Sequence, residues 1–213
     1  MARTALMVGA TGLVGAALLD RLLAAPEYVT VTVLGRRAPA VTHAKLRFVP
    51  STLEDLDGLA DPLAADDLFS CLGTTTKAAG GHAGLERVDY TMVLAVARAA
   101  QAGGVKRFFG VSAAGASATS LALYSRLKAR MERDVAAVGF ESTQFFRPSL
   151  LLGARSESRP AEALGQKLAP LLSPLCVGPL RKYRPITAEQ VADAMLLKAR
   201  LSTGGVQVHD LPL

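Results

Sequence analysis

Over positions 4–8, Thr4 leads four apolar residues that follow without a break. Apolar residues then recur at helical spacing from 12 to 24, where Leu13, Ala16, Ala17, Leu19, Leu22 and Leu23 make one stripe. The first pattern predicts a strand buried on both faces, the second an amphipathic helix. Pro26 stops the helix. β-Branched, alternating residues over 29–34 predict a second strand, and 46–49 a third, followed by a short helical stretch near 53–59. A fourth strand over 68–71 ends at Gly73. A long helix over 85–102 is closed by Gly103-Gly104.

The alternation continues. A fifth strand is expected over 107–111, a helix over 121–138 ended by Gly139, and a sixth strand over 143–147 stopped by Pro148. Thr187 and Gln190 form a capping box that opens a helix over 188–200. A last edge strand is expected over 205–211. Only 153–185 breaks the rhythm. It is rich in Pro, Gly, Arg and Ser, with one helical pattern near 161–172, and reads as an insertion after the sixth strand. Strand and helix in strict turn predict an α/β doubly wound fold: a mostly parallel sheet with helices on both faces, in one domain over 1–213.

Composition narrows the function classes. Half of the 213 residues are hydrophobic and none is tryptophan, so the core rests on Ala, Leu and Val. The net charge of +6 comes from scattered residues, apart from Arg36-Arg37, Lys106-Arg107 and the stretch 181–184. No basic run is interleaved with aromatics, which favours an anionic small molecule over nucleic acid. Two cysteines, Cys71 and Cys176, make neither a zinc spacing nor a disulfide framework. A reducing compartment, the cytoplasm, is the expectation, with no targeting segment before the first strand. No apolar run reaches the roughly 18 residues of a membrane span.

Between the first strand and first helix lies Gly9-Ala10-Thr11-Gly12-Leu13-Val14-Gly15. Glycines at this spacing give a tight turn, let a pyrophosphate approach the backbone, and let helix and strand pack closely. The helix N-terminus beyond them offers free N–H groups to an anion. About 20 residues on, an acid at the end of the second strand would bind a ribose 2′-OH and favour NAD. Here the strand runs into Arg36-Arg37, which suit a 2′-phosphate or are solvated loop residues. NADPH is therefore expected ahead of NAD.

The fourth strand ends in Cys71-Leu72-Gly73-Thr74, where an open α/β sheet has its ligand crevice. Nothing nearby lowers the Cys71 pKa, so it reads as a small packed side chain. Tyr124 and Lys128 stand four residues apart on one helix face. A phenol is a poor acid at neutral pH unless an ammonium stabilises its phenolate. The pair could then exchange a proton with a carbonyl or alcohol oxygen. Ser112, closing the fifth strand, is a plausible second donor, in competition with Ser117, Thr119 and Ser120.

With these pieces the sequence resembles the atypical branch of the short-chain dehydrogenase/reductase superfamily, above all the Tat-interacting-protein oxidoreductase group and its bacterial relatives. The likeness rests on the glycine loop, Cys71-Leu72-Gly73-Thr74-Thr75, Tyr124-Ser125-Arg126-Leu127-Lys128, Arg147-Pro148-Ser149-Leu150-Leu151-Leu152-Gly153 and Glu157-Ser158-Arg159-Pro160. It implies a Rossmann sheet of order 3-2-1-4-5-6 with a seventh strand. It places Gly9, Ala10, Thr11, Gly12, Leu13 and Val14 on the pyrophosphate and Arg36 and Arg37 on the 2′-phosphate. Cys71, Leu72, Gly73 and Thr74 would lie along the adenosine and ribose. Arg147, Pro148, Ser149 and Leu150 would pass beside the nicotinamide, with Tyr124, Lys128 and Ser112 as the catalytic set. Two features depart from many relatives: Pro50-Ser51-Thr52 lacks an aspartate near the adenine, and Ser112 is followed by Ala113-Ala114.

The implied activity is NADPH-dependent hydride transfer to or from a small carbonyl or alcohol. The alternative is an NAD(P)-sensing regulatory protein with little turnover, since fold does not fix function. The apolar residues of 153–185 would supply a lid, a core contact or a partner interface. A homodimer through the helices at 85–102 and 121–138 would follow the superfamily's habit.

Overall fold

A computed structural model describes residues 2–56, 59, 63–152, 184–201 and 203–212. The insertion at 153–183, its expected helix, and most of the stretch at 53–59 beyond Leu56 lie outside those residues.

Seven parallel strands form the main sheet: β1 (Arg3–Val8), β2 (Tyr28–Gly35), β3 (Leu46–Pro50), β4 (Asp67–Ser70), β5 (Arg107–Val111), β6 (Ser142–Pro148) and, at its edge, Gly205–Leu211. Two short strands, β7 (Leu151–Leu152) and β8 (Ile186–Thr187), pair with each other, so the edge strand is β9. The order is β3-β2-β1-β4-β5-β6-β9, with the direction switching between β1 and β4. This is the expected doubly wound order with its seventh strand.

The helices are α1 (Leu13–Ala24), α2 (His82–Glu86), α3 (Met92–Ala102), α4 (Leu123–Ala136) and α5 (Ala188–Leu201). A π-helical turn over Arg87–Thr91 joins α2 to α3, so the single helix expected over 85–102 is interrupted. Successive side chains of each central strand serve opposite cores, as the period of two requires. Ala5, Met7, Phe69, Phe109 and Phe146 pack with Leu18, Leu22, Val191 and Met195 of α1 and α5. Leu6, Val8, Leu68, Phe108 and Phe145 pack with Val96 and Ala100 of α3 and Met131 and Val135 of α4. Two-sided burial explains why these strands read as unbroken apolar runs.

The capping box is present. The Thr187 N–H donates to Gln190 Oε1 at 3.0 Å, and the Gln190 N–H to Thr187 Oγ1 at 3.3 Å. The sheet thus carries α1 and α5 on one face and α3 and α4 on the other, and its carboxyl edge faces a long crevice.

Candidate active site

The crevice begins at the glycine loop. Gly9 has φ +79°, and a Cβ there would sit 2.5 Å from the Cys71 carbonyl. A Cβ on Gly15 would sit 2.0 Å from the Gly9 oxygen. Both glycines are demanded by the protein's own packing, one by backbone sign and close approach, the other by helix–loop contact. Gly12 is different. Its backbone is extended, with φ −81° and ψ 170°, and a Cβ would meet nothing nearer than the Gly9 oxygen at 3.4 Å. It is exposed and N-caps α1 with no side-chain cap. The free N–H groups of the first turn therefore open onto a surface that a side chain would fill. That cradle fits a pyrophosphate.

From the loop the crevice runs two ways. On one side is a cavity of about 460 Å³ lined by Gly9, Ala10, Thr11, Arg36, Arg37, Ser51, Thr52, Leu53, Leu72, Thr74 and Arg87, among others. Arg36 and Arg37 are exposed and make no ion pair among the described residues. Leu53 is buried with φ +64°, a sparsely populated conformation for a branched side chain, held by Ser51 Oγ, which accepts its N–H at 3.0 Å. Arg87 pairs with Glu54 at the rim. Ser51, Thr52 and Leu53 themselves bring no charge to this wall of the cavity.

On the other side is a cavity of about 200 Å³ lined by Gly12, Leu13, Val14, Cys71, Leu72, Gly73, Thr74, Ser112, Tyr124, Lys128, Pro148, Ser149 and Leu150, with their neighbours. Leu72 and Thr74 line both cavities, so the two form one groove bent around the loop. Burial pushes the Cys71 thiol up to about 12, which keeps it neutral, in line with a packed role.

Tyr124 and Lys128 share a face of α4, as their spacing requires. The Lys128 Nζ lies 5.8 Å from the Tyr124 ring centroid. Tyr124 is 40% exposed, whereas Lys128 is buried. Lys128 donates to the Val111 carbonyl at 3.5 Å and pairs with Asp89 Oδ1 at 2.8 Å. Burial works against the ammonium, but the Tyr124 hydroxyl, the Asp89 carboxylate and Glu132 outweigh it, and Lys128 titrates above the ordinary lysine value. Ser112 is buried beside them. Its N–H donates to the Phe146 carbonyl at 2.7 Å, while its Oγ has no partner. A buried hydroxyl without a partner on a cavity wall is a donor waiting for a ligand oxygen. Ser117, Thr119 and Ser120 bond among themselves and to nearby backbone, and line neither cavity.

Two residues change the expected picture. Arg147 does not pass beside the reaction end. In β6, Phe146 faces the α1 side, so Arg147 faces α4, where it holds Glu132 through contacts of 2.8 and 2.5 Å. It lines neither cavity; Pro148, Ser149 and Leu150 do. Asp89 was not anticipated. It is fully buried in the π-helical turn and accepts the Thr74 N–H at 2.8 Å as well as the Lys128 pair. A signal existed: Asp89 falls in helical phase with Leu85 and Val93, on the stripe that faces the core.

A family model described as NAD(P)H-binding matches residues 9–165. The chain belongs to the NAD(P)H-binding family. Among curated relatives, "Protein fmp52-1, mitochondrial" of Aspergillus terreus is 38% identical over 169 residues, covering 76% of this chain and 73% of its own. "Protein FMP52, mitochondrial" of Eremothecium gossypii is 40% identical over 151 residues, covering 71% and 67%. Among solved structures, MoeE5 in complex with UDP-glucuronic acid and NAD has TM-score 0.74 at 19% identity, covering 96% of this chain and 75% of that one. The UDP-N-acetylglucosamine 4-epimerase of Methanobrevibacter ruminantium M1 has TM-score 0.72 at 16% identity, covering 100% and 77%. Those likenesses show the fold. With the family match, this fold is in keeping with the resemblance to the short-chain dehydrogenase/reductase superfamily.

The relatives' names overturn the cytoplasmic expectation, since they are called mitochondrial. A low cysteine count separates reducing from oxidising compartments; it does not separate one reducing compartment from another.

Proposed function

We propose that the protein is an NADPH-dependent oxidoreductase that interconverts a small carbonyl and its alcohol. The observation that carries the reading is the meeting of Tyr124, Lys128 and the unpartnered Ser112 Oγ on one wall of the cavity next to the glycine loop.

Gly12, Leu13 and Val14 would hold the pyrophosphate with the N-terminus of α1, and Arg36 and Arg37 the 2′-phosphate. When bound, the nicotinamide supplies or takes the hydride. The rest falls to side chains of this chain. Tyr124, open to the cavity, is placed to give a proton to the carbonyl oxygen or take one from the alcohol. Ser112 donates to the same oxygen and orients it. Lys128, charged and buried one helical turn from Tyr124, favours the phenolate over the phenol and offers N–H donors to the ribose beside it. Leu150 and Pro148 give that end of the groove apolar walls, which suits a small organic carbonyl.

Titration with NADPH and NADH tests the cofactor. NADPH binds more tightly to the wild type, and the Arg36→Ala/Arg37→Ala variant loses about one to two orders of magnitude toward NADPH with little change toward NADH, as loss of charge-assisted contacts requires. Equal wild-type affinities would sink the NADPH assignment. A carbonyl panel tests the chemistry: Tyr124→Phe lowers turnover by on the order of 10²–10⁴ while NADPH still binds. Tight NADPH binding with no turnover of any carbonyl would favour a cofactor sensor instead.

A further inference from the structure

The buried Asp89 carboxylate is the joint between the two arms of the groove. It comes from the π-helical turn over Arg87–Thr91, which packs against α4 through Tyr90 as well as through Asp89 itself. One oxygen accepts the Thr74 N–H at 2.8 Å; Thr74 lines both cavities. The other pairs with Lys128 Nζ at 2.8 Å and accepts no further hydrogen bond. π-Turns inserted in α-helices recur at functional sites, and a fully buried carboxylate is costly unless it is paired and hydrogen-bonded, as Asp89 is by Lys128 and the Thr74 N–H.

We propose that Asp89 is a positioning residue: it fixes the Lys128 ammonium, and through Thr74 the loop after β4, at the spacing that NADPH spans between its adenosine and nicotinamide halves. The proposal rests on the NADPH reading above. Its logic is electrostatic as well as geometric. The charged and titratable groups about Lys128 are few. Tyr124 and Glu132 lie on α4 itself, Asp89 faces it from the π-turn, and Arg147 on β6 is engaged by Glu132. The Val111 carbonyl faces it from β5, and the neutral Cys71 thiol lines the same cavity. With Glu132 held by Arg147, Asp89 is the carboxylate in contact with the ammonium. Remove its charge, and desolvation acts on Lys128 with less to oppose it.

Asp89→Asn separates the two tethers. The amide oxygen still accepts the Thr74 N–H, while the charge facing Lys128 is gone. The probes are NADPH and adenosine 2′,5′-bisphosphate, which carries the adenosine half alone. By calorimetry, Asp89→Asn binds NADPH about tenfold more weakly at neutral pH, a change of about 1.4 kcal/mol. The loss grows as the pH rises, because the uncompensated Lys128 gives up its proton. Binding of the bisphosphate is unchanged, which also reports that the variant is folded. In a Lys128→Gln background, where the ammonium is already gone, adding Asp89→Asn causes no further loss of NADPH affinity, the signature of two residues acting as one unit.

Equal weakening of both probes, or a full further loss in the Lys128→Gln background, would overturn the proposal and make Asp89 a general structural residue. Unchanged NADPH affinity in Asp89→Asn beside a wild type that binds NADPH overturns it alone. A wild type that binds no NADPH overturns the cofactor reading and this proposal with it.

Discussion

Three glycines in one loop carry three different burdens, and two of them are set by the protein's own packing. Gly9 and Gly15 are fixed by backbone contacts of 2.5 and 2.0 Å to any added Cβ. Gly12 has an ordinary extended backbone and room on its own side. Gly12→Val should therefore fold normally yet bind NADPH at least about tenfold more weakly, because its side chain fills the pyrophosphate cradle. Thermal melting and NADPH titration on the same sample check both halves; a large drop in melting temperature with retained affinity would contradict it. At this scale the sequence was informative where a residue type is forced by local geometry. The turn glycines, the shared face of Tyr124 and Lys128, and the place of Ser112 at the end of β5 were legible as placements. Arg147 was misread because a motif was taken as one contact, although neighbouring strand residues face opposite ways. Asp89 was passed over because a lone acid on an apolar stripe stands out only when its partner, 39 positions further along at Lys128, is known to be near.

Elements were legible where period and punctuation agreed. Each strand and helix of the sheet fell within a few residues of its expected place, and the Thr187–Gln190 box sits at the start of α5. The π-helical turn was not legible, since one extra residue in a turn leaves the apolar spacing almost intact. The pairing of β6 with β9 contains a feature no local pattern discloses. His209 is buried, and its ring lies 5.1 Å from that of Phe146. Its Nε2 donates to Gln144 Oε1 at 2.6 Å, and Gln144 donates in turn to Ser142 Oγ and the Thr203 carbonyl. Burial, with a smaller push from Lys198, holds His209 below its usual pKa. The unfolded chain then takes up a proton near the ordinary value of about 6.5 while the folded chain resists. The contribution of neutral His209 is present above that pH and is lost as the pH falls through it toward the lower folded value. Melting temperature should decline over that window, and His209→Gln should flatten the decline. An unchanged slope in the variant would place the acid sensitivity elsewhere.

At the scale of the whole molecule, the two ends of the parallel sheet divide the labour between ligand and stability. The residues of the candidate site gather at the carboxyl ends of the strands, where the chain leaves β1 and β4 toward opposite faces of the sheet. The amino ends hold a buried polar knot instead. Asp67 opens β4 and receives the Arg107 guanidinium at 2.5 Å on both oxygens. It also accepts the Tyr28 hydroxyl at 2.5 Å, and burial next to this carboxylate pushes the phenol above its ordinary pKa. Arg107 and Arg3 each donate to the Ala199 carbonyl near the end of α5 at 3.0 Å. The knot thus ties β1, β2, β4, β5 and α5 together. Truncating Asp67 to alanine strands a buried hydroxyl and a largely buried guanidinium, for which about 3–5 kcal/mol is the usual cost. The crevice lies at the other end of the same strands, beyond the reach of that change. Asp67→Ala should accordingly lower the unfolding free energy from denaturant titration by that measure, while protein that remains folded binds NADPH with wild-type affinity. A variant as stable as wild type would show that the knot is dispensable; weakened NADPH binding at full folding would show that the two ends of the sheet are coupled.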